Sequence, residues 1–218
     1  MKDIPKELFE GYVAFKYGHL RTQRARYREL AAKGQKPQAM IVGCCDSRAA
    51  PETIFDAVPG QLFVLRNVAN LVPPYDPDGS FHSTSAALEY GVQALKVKDI
   101  IVMGHARCGG IAAALEGNHS ADSPGDFIGK WISLADAAKA DIEREPLSAS
   151  ARQERLEKHS VLRSVSNLRT FPWIEAQESK GKLKLHGAYF DIESGELSWY
   201  DKALGSFRVV EDGAKIPI

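Results

Sequence analysis

The chain has 218 residues, 44% of them hydrophobic and 26% charged. That is enough for one medium domain with a real core, and the composition is that of an ordinary globular protein. Basic and acidic residues number 28 each, so the formal charge at pH 7 is zero; the overall balance gives no reason to expect nucleic acid or an acidic membrane surface as a partner.

The N-terminus, MKDIPKELFEGYVAF, is charged throughout and lacks the continuous apolar stretch of a secretory signal. No apolar run approaches the ~18–20 residues that span a bilayer. From Pro5 to about Ala32, strong helix formers carry an apolar stripe of Leu8, Phe9, Tyr12, Val13, Phe15 and Leu20. This predicts one long N-terminal helix or a pair. The arginine run at 21, 24, 26 and 28 reads as a solvated helix face rather than a nucleic-acid contact. AMIVGC follows as a short buried strand, then APETIFDAVPG as a short helix opened by Pro51, then LFVLR as a second strand. A loop rich in Pro and Gly leads to the helix STSAALEYGVQALKV, for which Ser83 or Ser80 is the expected cap. DIIVMGH is a third strand and GGIAAALEG a helix closed by Gly117. Residues 126–170 are mostly helical with a break near Pro146, FPWIEAQESKGK is one more helix, and LKLHGAYFDIESGELSWYD makes two strands around a turn at ESGE.

Strands alternating with helices predict an α/β fold as a single domain over 1–218, with residues 1–33 as a helical arm. The central sheet is expected to be mainly parallel, in the flavodoxin-like order, with helices on both faces and an antiparallel edge strand from the final hairpin.

Two corners of this fold carry unusual chemistry. IVGCCDSRAAP places Cys44, Cys45, Asp46 and Arg48 at the end of the first strand, and MGHARCGG places His105 and Cys108 at the end of the third. Three cysteines in all make a disulfide framework unlikely and fit metal-binding or reactive thiols in a reducing compartment, hence a cytoplasmic protein. In the flavodoxin-like order the first and third strands are neighbours, so Cys44, His105 and Cys108 converge at the carboxyl end of the sheet. Two thiolates and an imidazole are a good zinc set with one position left open. Cys108 opens a helix, where negative charge is favoured, and Gly109 and Gly110 leave N–H groups free to face an anion. Cys45, on the opposite side of the strand from Cys44, reads as packing. Asp46 pairs with Arg48 to stay ionised and oriented, unless it merely caps a helix. A redox pair of Cys44 with Cys45 or Cys108 is a competing reading of the same corner.

CCDSR followed by HARCGG resembles the β-class carbonic anhydrases, whose zinc motifs are C-x-D-x-R and H-x-x-C. PGQLFVLRNVANLVPP, SAALEYGVQALKV, DIIVMGHARCGG and LHGAYFD also look like that family in order and spacing. Residues from about 34 to 116 carry most of the likeness. The resemblance implies that Cys44, His105 and Cys108 bind one Zn²⁺ per chain and that Asp46 and Arg48 form a catalytic dyad. The implied reaction is reversible hydration of carbon dioxide to bicarbonate and a proton by metal-bound hydroxide. It implies a substrate pocket of Gln35, Phe63, Val68, Tyr90 and Gly109, although Phe63 and Val68 on their own read as ordinary core. It further implies a homodimer or tetramer, with the N-terminal arm wrapped on the partner and the site near the dimer interface. Hydrolysis of CS₂ or COS at the same site, and a noncatalytic zinc centre with Asp46 as fourth ligand, are the alternatives. Some bacterial relatives have an inhibitory bicarbonate site built on a Trp and a Tyr. Ile41 and Phe190 stand in those places here and Arg66 remains, so that site is expected to be missing and the zinc to rest open to water. His82 and His119 are candidates for proton release only because they titrate near neutrality.

Overall fold

Four strands lie parallel at the centre of the molecule: β1 (Ala39–Cys44), β2 (Leu62–Asn67), β3 (Asp99–His105) and β4 (Lys184–Phe190). Two antiparallel strands, β5 (Leu197–Asp201) and β6 (Ser206–Val209), extend the sheet on one side. The order is β2-β1-β3-β4-β5-β6, so the parallel part has the expected flavodoxin-like arrangement. This computed structural model describes residues 3–77, 82–117, 127–143 and 145–211. The β4–β5 hairpin was legible in the sequence. β6 was not, because SFRV has only four residues, too few for its polar–apolar alternation to stand out.

The central strands are near-continuous apolar runs because both their faces are covered. On one face Met40, Val42, Ile100, Val102 and Leu185 pack beneath three helices. These are α4 (Ser83–Glu89), α8 (Ala149–Leu168) and α9 (Pro172–Ser179). On the other face Ile41, Ile101, Met103 and Ala188 meet Ile54 and Phe55, at the end of the one-turn helix α3 (Pro51–Ile54). Helical cover is therefore heavy on one side and thin on the other.

Between β3 and α8 run α5 (Gly109–Glu116), α6 (Phe127–Ile132) and α7 (Asp136–Ile142). The break expected near Pro146 separates α7 from α8, which Ser148 caps by accepting from the Ala151 N–H at 3.4 Å. The expected serine cap of α4 is not seen. Ser83 is already the first helical residue, His82 precedes it without a side-chain cap bond, and Ser80 lies outside the described residues. α4 runs straight into a wider π turn at Tyr90–Ala94.

The N-terminal arm is a helix pair, α1 (Lys6–Tyr17) and α2 (His19–Lys33), broken at Gly18. Neither helix has a buried residue. Phe15 meets Tyr27 edge-on between them, while Leu8, Phe9 and Tyr12 stay exposed.

Two glycines set how closely α8 approaches the sheet. A Cβ on Gly104 of β3 would stand 2.6 Å from Val161 Cγ2, and one on Gly187 of β4 would stand 3.1 Å from Val161 Cγ1. The missing side chains let α8 drop onto the carboxyl half of β3 and β4. Gly104→Ala is expected to lower stability by about 1–3 kcal/mol through overpacking, read as a fall in the midpoint of chemical denaturation at unchanged slope.

Candidate active site

Cys44 is the last residue of β1 and His105 the last of β3, and these strands are direct neighbours. Cys108 is the cap residue from which α5 starts. Strand order alone thus closes a gap of 61 positions in sequence. The ligand atoms of Cys44, His105 and Cys108 all lie within 4.8 Å of one another, and the two sulfurs are 4.0 Å apart. Tetrahedral zinc with bonds of ~2.3 Å to sulfur sets two sulfurs roughly 3.8 Å apart, so the pair is already at metal-binding separation. His105 Nδ1 donates to the Ala106 carbonyl at 2.9 Å, which leaves the lone pair on Nε2. That Nε2 is buried and has no hydrogen-bond partner. A buried nitrogen without a partner, facing two sulfurs, is an electron-pair donor that lacks its acceptor. The residues present fit a tetrahedral dication.

The electrostatics agree. The hydrogen bond from Cys108 pulls the Cys44 thiol well below its ordinary pKa, and His105 helps against the opposing cost of burial. The same bond, together with burial, pushes Cys108 up. Without a cation the pair therefore shares one proton. Backbone N–H groups of Ile111 and Gly110 at the start of α5 favour a Cys108 thiolate but do not outweigh the neighbouring negative charge. Burial is the largest single influence on His105 and lowers its pKa, but the Cys44 sulfur and the Ala106 carbonyl together raise it above the ordinary value, so the ring nitrogen is a good electron-pair donor.

Asp46 and Arg48 form a fork. Arg48 Nε donates to Asp46 Oδ1 at 2.9 Å, Nη2 to Oδ2 at 2.7 Å, and the Arg48 N–H to Oδ1 at 3.0 Å. The guanidinium holds the Asp46 carboxyl far below the usual carboxylate range. Oδ2 lies 3.9 Å from His105 Nε2, so the carboxylate borders the ligand set. Arg66 fixes the backbone beneath, donating to the Cys44 carbonyl at 2.8 Å and to the Asp46 carbonyl at 2.6 Å. Cys45 corrects the packing expectation. It is exposed, because the chain has left the strand there and its N–H turns to the Asn67 carbonyl at 2.9 Å.

A carbonic anhydrase family model matches residues 39–197. The chain belongs to the β-class carbonic anhydrases. It is 35% identical over 203 residues to a carbonic anhydrase of Pseudomonas aeruginosa, covering 93% of this chain and 90% of that one. It is 34% identical over 197 residues to the mitochondrial β carbonic anhydrase 6 of Arabidopsis thaliana, covering 89% of this chain and 67% of the relative. Among solved structures, the β-carbonic anhydrase CcaA superposes with a TM-score of 0.87 at 31% identity, over 95% of this chain and 92% of that one. A tetrameric β-carbonic anhydrase of Sordaria macrospora gives 0.77 at 30%, over 93% and 97%.

In this β-class family member, two of the five expected pocket residues sit at the metal corner. Gly109 begins α5 with open space around its Cα, and Val68 lies against the same helix start, where a Cβ on Gly110 would be 2.9 Å from Val68 Cγ1. The other three lie elsewhere. Phe63 pairs with Met40 in the β1–β2 register, four residues before the Cys44–Asn67 pair, or about 13 Å along the strands. Tyr90 packs on Phe63 with ring centroids 5.9 Å apart, and Gln35 precedes β1 and lines a cleft with Gln38 and Lys98. One chain does not bring these three to its own metal corner. His82 lies just before α4, and His119 falls outside the described residues.

Sequence reasoning missed Glu157, whose carboxylate accepts from the Cys108 N–H at 2.8 Å. The signal was there. Glu157, Val161 and Val165 fall on one helix face at a spacing of four, and a lone carboxylate in an apolar stripe is unusual.

Metal uptake has to displace the proton shared by the sulfurs and any proton on His105. Zinc binding near neutral pH is expected to release at least one proton per chain, and affinity is expected to fall as pH drops. Calorimetry in buffers of different ionisation enthalpy reads both.

Proposed function

We propose that the chain catalyses reversible hydration of carbon dioxide at one zinc ion held by Cys44, His105 and Cys108. The observation that carries this reading is the unpartnered, buried Nε2 of His105 facing two sulfurs beside a carboxylate clamped by arginine. When bound, zinc supplies a Lewis-acidic centre that yields a strong nucleophile from water near neutral pH. The protein's own groups supply orientation. Asp46 accepts a hydrogen from the reacting water at Oδ2, so that a lone pair faces the carbon. Arg48 keeps that carboxylate ionised across the physiological range and fixes its plane. The Gly109 N–H, at the positive end of α5, meets a product oxygen.

Asp46 is engaged by three hydrogen bonds from Arg48, which opposes its service as a permanent fourth ligand. Ile41 is buried in the sheet, Phe190 carries no hydroxyl, and both recorded bonds of Arg66 go to backbone carbonyls. These support a resting state open to water without an inhibitory bicarbonate site. Three free thiols suit a reducing compartment, and we place the protein in the cytoplasm. No helix among the described residues is long and apolar enough to cross a membrane.

The rest of the pocket comes from a second copy of the chain in a homodimer. Gln35, Phe63 and Tyr90 lie too far along the sheet to serve their own Cys44, and among the described residues the arm leaves Leu8, Phe9 and Tyr12 exposed.

Wild type is expected to bind one zinc per chain and to hydrate carbon dioxide. Cys108→Ser is expected to lose both, while Arg48→Ala keeps zinc and loses at least about a hundredfold in kcat/KM. Metal analysis with stopped-flow hydration, and CS₂ and COS as parallel substrates, decides it. A zinc-free preparation with full activity overturns the reading. Mixing Gln35→Ala with Asp46→Ala subunits checks the shared pocket. Heterodimers are expected to regain one working site that neither homodimer has.

A further inference from the structure

The turn His105–Ala106–Arg107–Cys108 carries two of the three ligands and is a strained piece of backbone. Arg107 has φ 56°, a left-handed conformation that costs a residue with a side chain some free energy. Such a turn persists only when its surroundings over-determine it. Its amide and carbonyl groups are bonded from several directions. The Ala106 N–H donates to the Phe190 carbonyl at 2.9 Å, and Arg48 Nη2 donates to the Arg107 carbonyl at 3.2 Å. The Arg107 side chain pairs with Glu193. The Cys108 N–H is buried and is met by Glu157 Oε1 at 2.8 Å.

Glu157 is 3% exposed, and burying a carboxylate is costly unless it is well bonded. It is. Gln153 Nε2 donates to Oε1 at 3.0 Å and the Tyr189 hydroxyl to Oε2 at 2.7 Å. All three partners are donors aimed at one side chain. Tyr189 belongs to β4 and is itself buried, with Lys158 Nζ 4.8 Å from its ring centroid. The network therefore ties the Cys108 amide to α8 and β4 at once. It exists because Gly104 and Gly187 let α8 settle one turn further along, at Val161, and so bring Glu157 within reach.

We infer that Glu157 is the positioning residue of the metal centre: by holding the Cys108 N–H against α8 and Tyr189, it keeps the strained turn in the conformation that aims Cys108 Sγ at the metal. This rests on the zinc-site reading above. Groups that orient a ligand from outside commonly govern metal affinity by 10–100-fold. Glu157 touches neither substrate nor metal in this arrangement, so its effect is on the ligand.

The test compares Glu157→Ala, Glu157→Gln and Tyr189→Phe, each loaded with zinc and then challenged with a colorimetric chelator, and each also loaded with cobalt. Glu157→Ala is expected to release zinc about 10–100-fold faster than wild type and to change the thiolate-to-cobalt absorption band. Glu157→Gln keeps an acceptor for the Cys108 N–H, and is expected to release zinc within about threefold of wild type with an unchanged band. A folded Glu157→Ala with wild-type release and spectrum overturns the inference. Equal loss in the Ala and Gln variants overturns it too, because charge and not the bond would then be what matters. Should Glu157→Ala fail to fold, Tyr189→Phe decides. Release several-fold faster supports the inference, and unchanged release overturns it. A wild type that takes up no zinc instead overturns the zinc-site reading, and this inference with it.

Discussion

Two sulfurs 4.0 Å apart in a buried corner set the terms for the rest of this molecule. Two unit negative charges at that distance repel by roughly 4 kcal/mol at an effective dielectric near 20. Burial adds a desolvation cost for each. The bond between the two sulfurs lowers the pKa of Cys44 and raises that of Cys108, so this corner favours one thiolate over two. A dication answers better, since it attracts both thiolates and also takes the unpartnered lone pair of His105. The corner is thus built for a positive charge, and everything that keeps Cys44, His105 and Cys108 close stores repulsion that a cation relieves.

What keeps them close is mostly backbone. β1 and β3 are adjacent and parallel, so their last residues emerge side by side. Arg66 ties the Cys44 and Asp46 carbonyls, while Glu157 holds the Cys108 amide. Each motif therefore has one ionic side chain, the half-buried Arg66 or the buried Glu157, whose work is done on main-chain atoms. Asp46 is also fixed in part through the backbone, by the Arg48 N–H as well as its guanidinium. The side chains nearest the reaction are few, and their orientation is inherited from this lattice of main-chain bonds.

The parts of this design that the sequence displays are local or periodic. Apolar runs at AMIVGC, LFVLR and DIIVMGH mark strands whose ends carry the ligands, and alternation with helices implies parallel neighbours. Glu157 is harder to see. Its meaning depends on α8 crossing β3 at Gly104, a contact between residues 57 positions apart in sequence (Gly104 to Val161), and no local pattern encodes that approach. Cys45 misled for a related reason. Strand alternation was carried one residue too far, and the chain turns outward at Cys45 when its N–H bonds to Asn67. Ser83 does not cap α4 because it already stands inside the helix, with His82 at the cap position.

The unequal cover of the sheet bears on how a site of this kind is completed. α4, α8 and α9 seal one face, and among the described residues α3 alone offers a helix to the other. α1 and α2 have no fully buried residue and present Leu8, Phe9 and Tyr12 to solvent, although Leu30 of α2 rests against Gly60. Isolated helices of 12 and 15 residues are marginal in water, so a pair this long needs packing beyond the Phe15–Tyr27 contact. Gln35, Phe63 and Tyr90 lie at the strand ends opposite the metal corner, so no motion of a side chain carries them to it. In the proposed homodimer a second copy related by a twofold axis would answer both needs at once: it would cover the arm, and by the same symmetry each copy would present its strand-start residues to the other's strand ends. On that proposal the apolar wall that suits a small nonpolar substrate is a property of the interface, and the metal corner a property of the chain.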